Sequence, residues 1–292
     1  MFIISLLSRL PLSVLYALAS VLAFVAHRVL KYRLRVVRGN IDLCFPDLSV
    51  VEREEIISKF YKHLADIIVE TVWFGGCDRE RLAKQLMVTV LNHEVVKELS
   101  DSGRSIVLLS SHYGNWELSG GIRIYCLAQG ESAFKEHNTI YVYKKMSSKT
   151  WNEFMHRNRV APLDDPEHYE GYLESNEVLR YVIAHRNEQK FYNFITDQRP
   201  YRSAKGSVPV TFLGQQCQSM AAAANLALHY GFHIVYQRMR WVSRGHYTYE
   251  FIPIATSENT TAQDVMNRYY ELLTEDIISN PEQYLWSHKR FS

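Results

Sequence analysis

Cysteine is scarce in this sequence, and its spacing excludes more than its number does. Cys44, Cys77, Cys126 and Cys217 lie far apart and form no CxxC or other metal-spaced pair, so neither a zinc site nor a disulfide framework is indicated. A reducing compartment is the expectation, and no metal or other cofactor is called for. Net charge is equally thin: 33 Lys and Arg against 31 Asp and Glu leave +2, so composition makes no case for nucleic acid. The local basic clusters lack an accompanying aromatic stacking motif, which points the same way: no nucleic acid. Internal repeats and low-complexity linkers are missing as well. A chain of 292 residues can bury one substantial core, so one large domain is expected rather than two small ones.

Acidic residues are missing from the first forty positions, where Arg9, Arg28, Lys31, Arg33, Arg35 and Arg38 are basic. The stretch from Leu10 to Ala26, LPLSVLYALASVLAFVA, carries no charge and is near the lower limit of the ~20 residues that span a bilayer. A cleaved signal peptide would carry its positive charge before the apolar run, whereas most of it follows here. A core helix fits poorly with the basic amphipathic RVLKYRLRVVR that comes next, which suits phospholipid headgroups. The segment therefore reads as a retained anchor, spanning or deeply interfacial. If it spans, the basic flank puts the remainder in the cytoplasm. Residues 1–38 form the anchor and its basic extension, and 39–292 the catalytic domain.

Ser49-Val-Val-Glu52 fits a capping box, and apolar residues from Ile56 to Phe74 recur at helical spacing, which predicts a long helix over 50–74. Strand-like runs follow at 87–91, 105–110, 139–143, 190–196, 209–213, 232–239 and 246–254. Helical runs lie between them at 94–99, 116–129, 147–159, 177–185, 220–230 and 262–278, while 160–175 reads as a loop. The alternation specifies an α/β fold with a mostly parallel or mixed sheet flanked by helices, preceded by the anchor helix.

Within SIVLLSSHYGNWELSGG, His112 directly follows a buried strand, Gly114 and Asn115 occupy a turn, and Glu117 starts a helix. Catalytic groups in open α/β sheets gather at such strand ends. Glu117 lies five positions after His112 across the turn, so the carboxylate can accept from one imidazole nitrogen while the other faces substrate, as base and orienter. Acyl transfer to a hydroxyl needs such a base, plus donors for the developing oxyanion. Backbone N–H groups at the Gly114-Asn115 turn, or an arginine, fit that need. Residue types alone also allow a buried structural histidine and a helix-start glutamate held by the dipole. No cysteine has a His-Asp pattern around it that supports a nucleophile, so direct attack by the acceptor is favoured over a covalent acyl-enzyme.

HxxxxE after an apolar strand resembles the signature of the glycerolipid-type acyltransferases, and further runs resemble one branch of them. GNIDLCFPDLSVVERE at 39–54 looks like the Asn-x-x-x-x-Phe-Pro segment of the lipid A lauroyl and myristoyl acyltransferases. TDQRP at 196–200, with VPVTFLGQ at 208–215, resembles their Asp-Gln block, and QYLWSHKRF at 283–291 their Tyr-x-Trp-x-His-x-Arg-Phe ending. These pieces cover the chain from about Leu6 to Phe291 in consistent order. The resemblance implies an enzyme on the cytoplasmic leaflet of the bacterial inner membrane, acting in lipid A and hence lipopolysaccharide biosynthesis. Its donor would be acyl carrier protein, less often coenzyme A, and its acceptor a membrane-lipid hydroxyl.

Carried over, His112 is the general base and Glu117 its partner; Asn115, Asp197 and Gln198 lie at the substrate cleft, and Arg159 contacts phosphate or the oxyanion. The basic clusters Lys144, Lys145, Lys149, Arg157, Arg159 and Arg199, Arg202, Lys205 suit lipid phosphates and the acidic surface of a carrier protein. Where the family often carries glycines and acids after Asp-Gln, this chain has Arg199-Pro200-Tyr201-Arg202, which leaves the acceptor open. A lysophospholipid, an aminoacyl lipid or a glycolipid is an alternative to a lipid A precursor. A catalytically silent lipid-binding protein and a thioesterase are the rivals from other classes.

Overall fold

A computed structural model describes residues 2–200 and 206–291. The N-terminal helices are α1 (Phe2–Leu7), α2 (Leu12–Phe24) continued by a π-helical turn at Val25–Val29, α3 (Leu34–Cys44), α4 (Val50–Phe74) and α5 (Arg79–Lys84). The 25-residue α4 is about 37 Å long at 1.5 Å per residue. Ser49 starts it as expected: its hydroxyl accepts from the Glu52 N–H while the Glu52 carboxylate accepts from the Ser49 N–H. Leu15, Ala19 and Ala23, four residues apart and buried, set α2 against the Ala65, Val69 and Trp73 face of α4. The opposite face stays open, with Val14, Leu18, Val21 and Phe24 45–63% exposed. Among the described residues Leu12–Val29 is long and apolar enough to cross a membrane, and only 22% of it is buried.

The remainder alternates β1 (Val88–Val90), α6 (His93–Asp101), β2 (Ile106–Ser110), a 3-10 turn (Trp116–Gly121) leading into α7 (Ile122–Leu127), β3 (Thr139–Tyr143), α8 (Lys149–Val160), β4 (Tyr172–Glu174), α9 (Val178–Ala184) and β5 (Phe191–Ile195). Then come β6 (Ser207–Phe212), β7 (Gln215–Met220), α10 (Ala222–Tyr230), β8 (His233–Ser243), β9 (His246–Ile254) and α11 (Ala262–Ser279). Seven strands form one sheet in the order β1-β9-β8-β2-β5-β3-β4, parallel throughout except for the β8–β9 hairpin. This is the anticipated α/β class.

Central strand β2 is wholly buried because both faces are covered, which is why IVLLS reads as an unbroken apolar run. Side-chain alternation divides it between two cores. Val107 and Leu109 join the cluster under α10 and α11, while Ile106 and Leu108 join the one under α6 and α7.

Three local expectations change. The run at 209–213 is a strand, but it leaves the main sheet and pairs antiparallel with β7, whose polar Gln215–Met220 sequence gave no strand pattern. Edge strand β4 occupies part of the segment read as a loop, and its three residues are too few to show a period. The helix expected from Trp116 begins as a 3-10 turn, and α5 goes unanticipated.

Candidate active site

Sheet register builds the centre of the site. Ser110 and Ile195 are paired partners at the ends of parallel neighbours β2 and β5, so the residues two steps beyond each, His112 and Asp197, emerge side by side. His112 Nδ1 lies 2.7 Å from Asp197 Oδ1, and the aspartate is 1% exposed. Burial pushes the Asp197 carboxyl up, but the neighbouring His112, with help from Arg290, outweighs it and holds the group below its ordinary value. An ionised carboxylate only accepts, so Nδ1 carries a proton, and Nε2 points away from Asp197. The Gln198 amide nitrogen donates to that Nε2 at 3.2 Å.

Glu117 faces elsewhere. The Arg159 guanidinium donates to it twice, Nε to Oε2 at 2.7 Å and Nη2 to Oε1 at 2.8 Å, and Trp116 Nε1 adds a bond of 2.9 Å. Burial raises the Glu117 carboxyl, Arg159 more than offsets this, and the net shift is downward. Arg159 Nη1 also donates to the Tyr172 hydroxyl at 2.9 Å. The expectation that Glu117 orients His112 is therefore corrected: Asp197 makes that contact and Glu117 fixes Arg159. The cause is the backbone, which turns at Gly114 with φ of +67° and carries Glu117 toward α8, while the strand pairing delivers Asp197 to the imidazole. Trp116 stays beside His112, edge to face at 4.9 Å between ring centres.

Asn115, expected to contact substrate, is fully buried with both ends of its amide engaged. Its Oδ1 accepts from the Glu117 N–H at 3.2 Å and its Nδ2 donates to Glu70 at 2.7 Å. Glu70, also fully buried, accepts from the hydroxyls of Tyr16 on α2 and Tyr247 on β9, each at 2.8 Å. Burial pushes its carboxyl up to about 7 despite those three donors. A lone acid in the apolar run IIVETVWF was the signal that could have singled it out. The Gly114 N–H, considered as an oxyanion donor, is bonded to the Gln283 carbonyl at 3.0 Å. The Gly114 carbonyl accepts from His63 Nε2 at 3.1 Å; burial drives that imidazole down to about 4 and keeps it neutral.

The distant N- and C-terminal motifs meet beneath this turn. Asn40 Nδ2 donates to the carbonyls of Trp286 and His288, both at 2.8 Å, and Arg33 Nη1 to that of Ser287 at 2.9 Å. Phe45 packs edge-on against Trp286, which is completely buried. The ending reaches the site through the Leu285 N–H, which donates to the His112 carbonyl at 3.1 Å. Buried Arg290 donates to the Tyr270 hydroxyl at 3.0 Å and supplies positive potential near Asp197. Beside Glu117 and Arg159 lies a small cavity of about 40 Å³, also lined by Trp116, Tyr141 and Asn193. Of the second basic cluster, Arg202 and Lys205 fall outside the described residues.

A strand-end histidine held by a buried carboxylate on an open α/β sheet is an arrangement suited to acyl transfer. The chain belongs to the bacterial lipid A biosynthesis acyltransferase family, whose model matches residues 1–292. It is 25% identical over 288 residues to the lipid A biosynthesis lauroyltransferase of Escherichia coli K12, covering 97% of this chain and 87% of that protein. The palmitoleoyltransferase of the same organism is 25% identical over 291 residues, with 97% and 86% covered. A lipid A biosynthesis acyltransferase of Haemophilus influenzae is 23% identical over 263 residues, with 89% and 77% covered.

Proposed function

We propose that the protein transfers a fatty acyl chain from a thioester donor to a hydroxyl of a lipid A precursor at the cytoplasmic face of the bacterial inner membrane. Acyl carrier protein is the preferred donor, and coenzyme A the alternative. The observation that carries this reading is the 2.7 Å His112–Asp197 contact, which engages Nδ1 and leaves Nε2 facing away from the carboxylate at the strand ends.

The acceptor hydroxyl replaces the Gln198 amide at Nε2, and His112 takes its proton as the oxygen attacks the thioester carbonyl. Asp197 holds the tautomer and stabilises the imidazolium that forms. Arg159, fixed by the Glu117 fork, faces the negative charge that develops on the carbonyl oxygen or the phosphate of the acceptor. Collapse of the tetrahedral adduct expels the thiolate of the carrier, and the imidazolium returns the proton to it. The exposed apolar face of α2 and the basic residues after it support attachment at the membrane, where the acceptor lipid resides.

The test is the purified, detergent-solubilised protein with acyl carrier protein donor and a lipid A precursor, wild type against His112→Ala and Asp197→Ala. Acylated lipid from the wild type and a loss of about 10²–10⁴-fold in both variants are expected. Free fatty acid without acylated lipid would establish a hydrolase instead, and donor left intact by the wild type a lipid-binding protein.

A further inference from the structure

A second, much larger cavity, of about 590 Å³, lies between α2 and α4 and is closed at one end by the β8–β9 hairpin. None of His112, Asp197 or Gln198 lines it, and it shares no residue with the small cavity at Glu117 and Arg159. Its inner wall includes His63 and Gln283, the two residues that hold the carbonyl and N–H of Gly114. The groove thus backs onto the motif turn, and an occupant there cannot offer a hydroxyl to the catalytic imidazole.

The lining is amphiphilic. Ala19 and Ala23, packed against α4, close its inner end, and Phe24 and Trp241 stand at the rim, 62% and 37% exposed. Above them are cations. Two carboxylates also line the groove: Asp66 neutralises Arg244, and Glu282 acts on Lys59, which is already bonded to Glu55. Arg28, at the π-helical end of α2, and Lys62, on α4, are exposed and make no hydrogen bond or ion pair among the described residues. Two cations without an ion-pair partner, one from each helix, complement a phosphate diester, and exposed Phe24 and Trp241 at the rim meet its acyl chains. The volume falls within the ~300–1,000 Å³ of small-molecule sites, room for a headgroup and the first carbons of its chains. The exposed side of α2 continues the apolar surface outward.

We propose that this groove is a binding site for an anionic phospholipid of the bilayer, its phosphate held by Arg28 and Lys62 and its chains along Phe24 and Trp241 at the rim. The lipid is a resident of the enzyme and is not consumed. The proposal rests on the reading that α2 lies at the membrane, and the experiment separates the two.

Full-length protein is floated with vesicles of phosphatidylcholine alone or mixed with phosphatidylglycerol, and lipid retained after detergent extraction is counted by native mass spectrometry. The wild type prefers the mixed vesicles and retains phosphatidylglycerol. The double variant Arg28→Ala/Lys62→Ala weakens partitioning to mixed vesicles by about fivefold per charge while attachment to pure phosphatidylcholine persists. Ser20→Trp fills the groove from an exposed position on α2 without touching the buried stripe, and it abolishes retained phosphatidylglycerol while flotation continues. Lys97→Ala, on α6 outside the groove and paired with Asp101, changes neither readout. Unchanged preference in the double variant, or unchanged retention in Ser20→Trp, overturns the site. Failure of the wild type to float with either vesicle overturns the membrane reading and the site with it.

Discussion

His112 Nδ1 and Asp197 Oδ1 are 2.7 Å apart although 85 residues separate them, because their strands end together in register. Asp197→Asn tests what that contact does. An amide presents either end to the ring, so the tautomer with Nε2 free is no longer enforced. We expect kcat to fall by about 10²–10⁴-fold with KM changed far less, because substrate contacts are left in place. Steady-state kinetics with acyl carrier protein donor checks it; a kcat within a few-fold of wild type removes Asp197 from the mechanism.

The Glu117–Arg159 pair makes a different prediction. Glu117 is 7% exposed and the Arg159 side chain 27%, so Glu117→Ala leaves a half-buried guanidinium without its partner, at a cost of about 1–3 kcal/mol. Loss of activity in that variant therefore mixes stability with chemistry. Arg159→Lys keeps the charge but loses the two-point fork and the Tyr172 bond, so turnover is expected to drop while the melting temperature falls less than in Glu117→Ala. Equal melting temperatures in the two variants would contradict the buried pair.

How the site relates to the sequence follows from these two pairs. The helix at Val50–Phe74, strand β3 and strand β9 were legible to the residue because capping and periodicity are local. The positions of His112 and Asp197 at strand ends were legible too, since apolar runs precede both. Which carboxylate meets the imidazole was not, because that is decided by the pairing of Ser110 with Ile195, a contact no local pattern carries. The same holds for Asn115: its residue type suits a ligand contact as well as a cap, and only the arrival of Glu70 from α4 distinguishes them.

Glu70 gives the molecule a pH-dependent stability. Its carboxyl binds a proton more tightly folded, near 7, than at its ordinary value of 4.5. Its contribution is complete below about 4.5 and is lost as the pH rises through about 7, a swing of roughly 3 kcal/mol at most. Glu70→Gln removes that swing, so the difference in unfolding free energy between wild type and variant should vary with pH across that window. Denaturant titrations at pH 5 and pH 8 measure it, and a pH-independent difference would refute the assignment.

Asn40 joins the two ends of the chain, since one amide nitrogen serves the carbonyls of Trp286 and His288. Asn40→Ala leaves both without that donor, for an expected loss of about 1–3 kcal/mol. The ending also carries the Leu285 bond to the His112 carbonyl, so kcat should fall along with stability. Asn40→Asp is the companion variant: an ionised carboxylate has no proton to offer two carbonyls, so it should be at least as damaging. Denaturation midpoints for the two variants decide the matter.

Gly114 is the hinge on which the turn depends. At φ of +67° a side chain costs about 1–2 kcal/mol, and a Cβ there would meet Met239 Cγ at 3.0 Å. The turn is clamped by His63 on one side and Gln283 on the other, so it has little room to relax. Gly114→Ala is therefore expected to displace His112 and Glu117 relative to Asp197 and Arg159, lowering kcat by more than tenfold. Relief should come from Met239→Ala in the same chain, which removes the collision while leaving the backbone strain. Partial recovery of kcat in the double variant separates the steric part from the conformational part, and no recovery would assign the whole effect to the backbone.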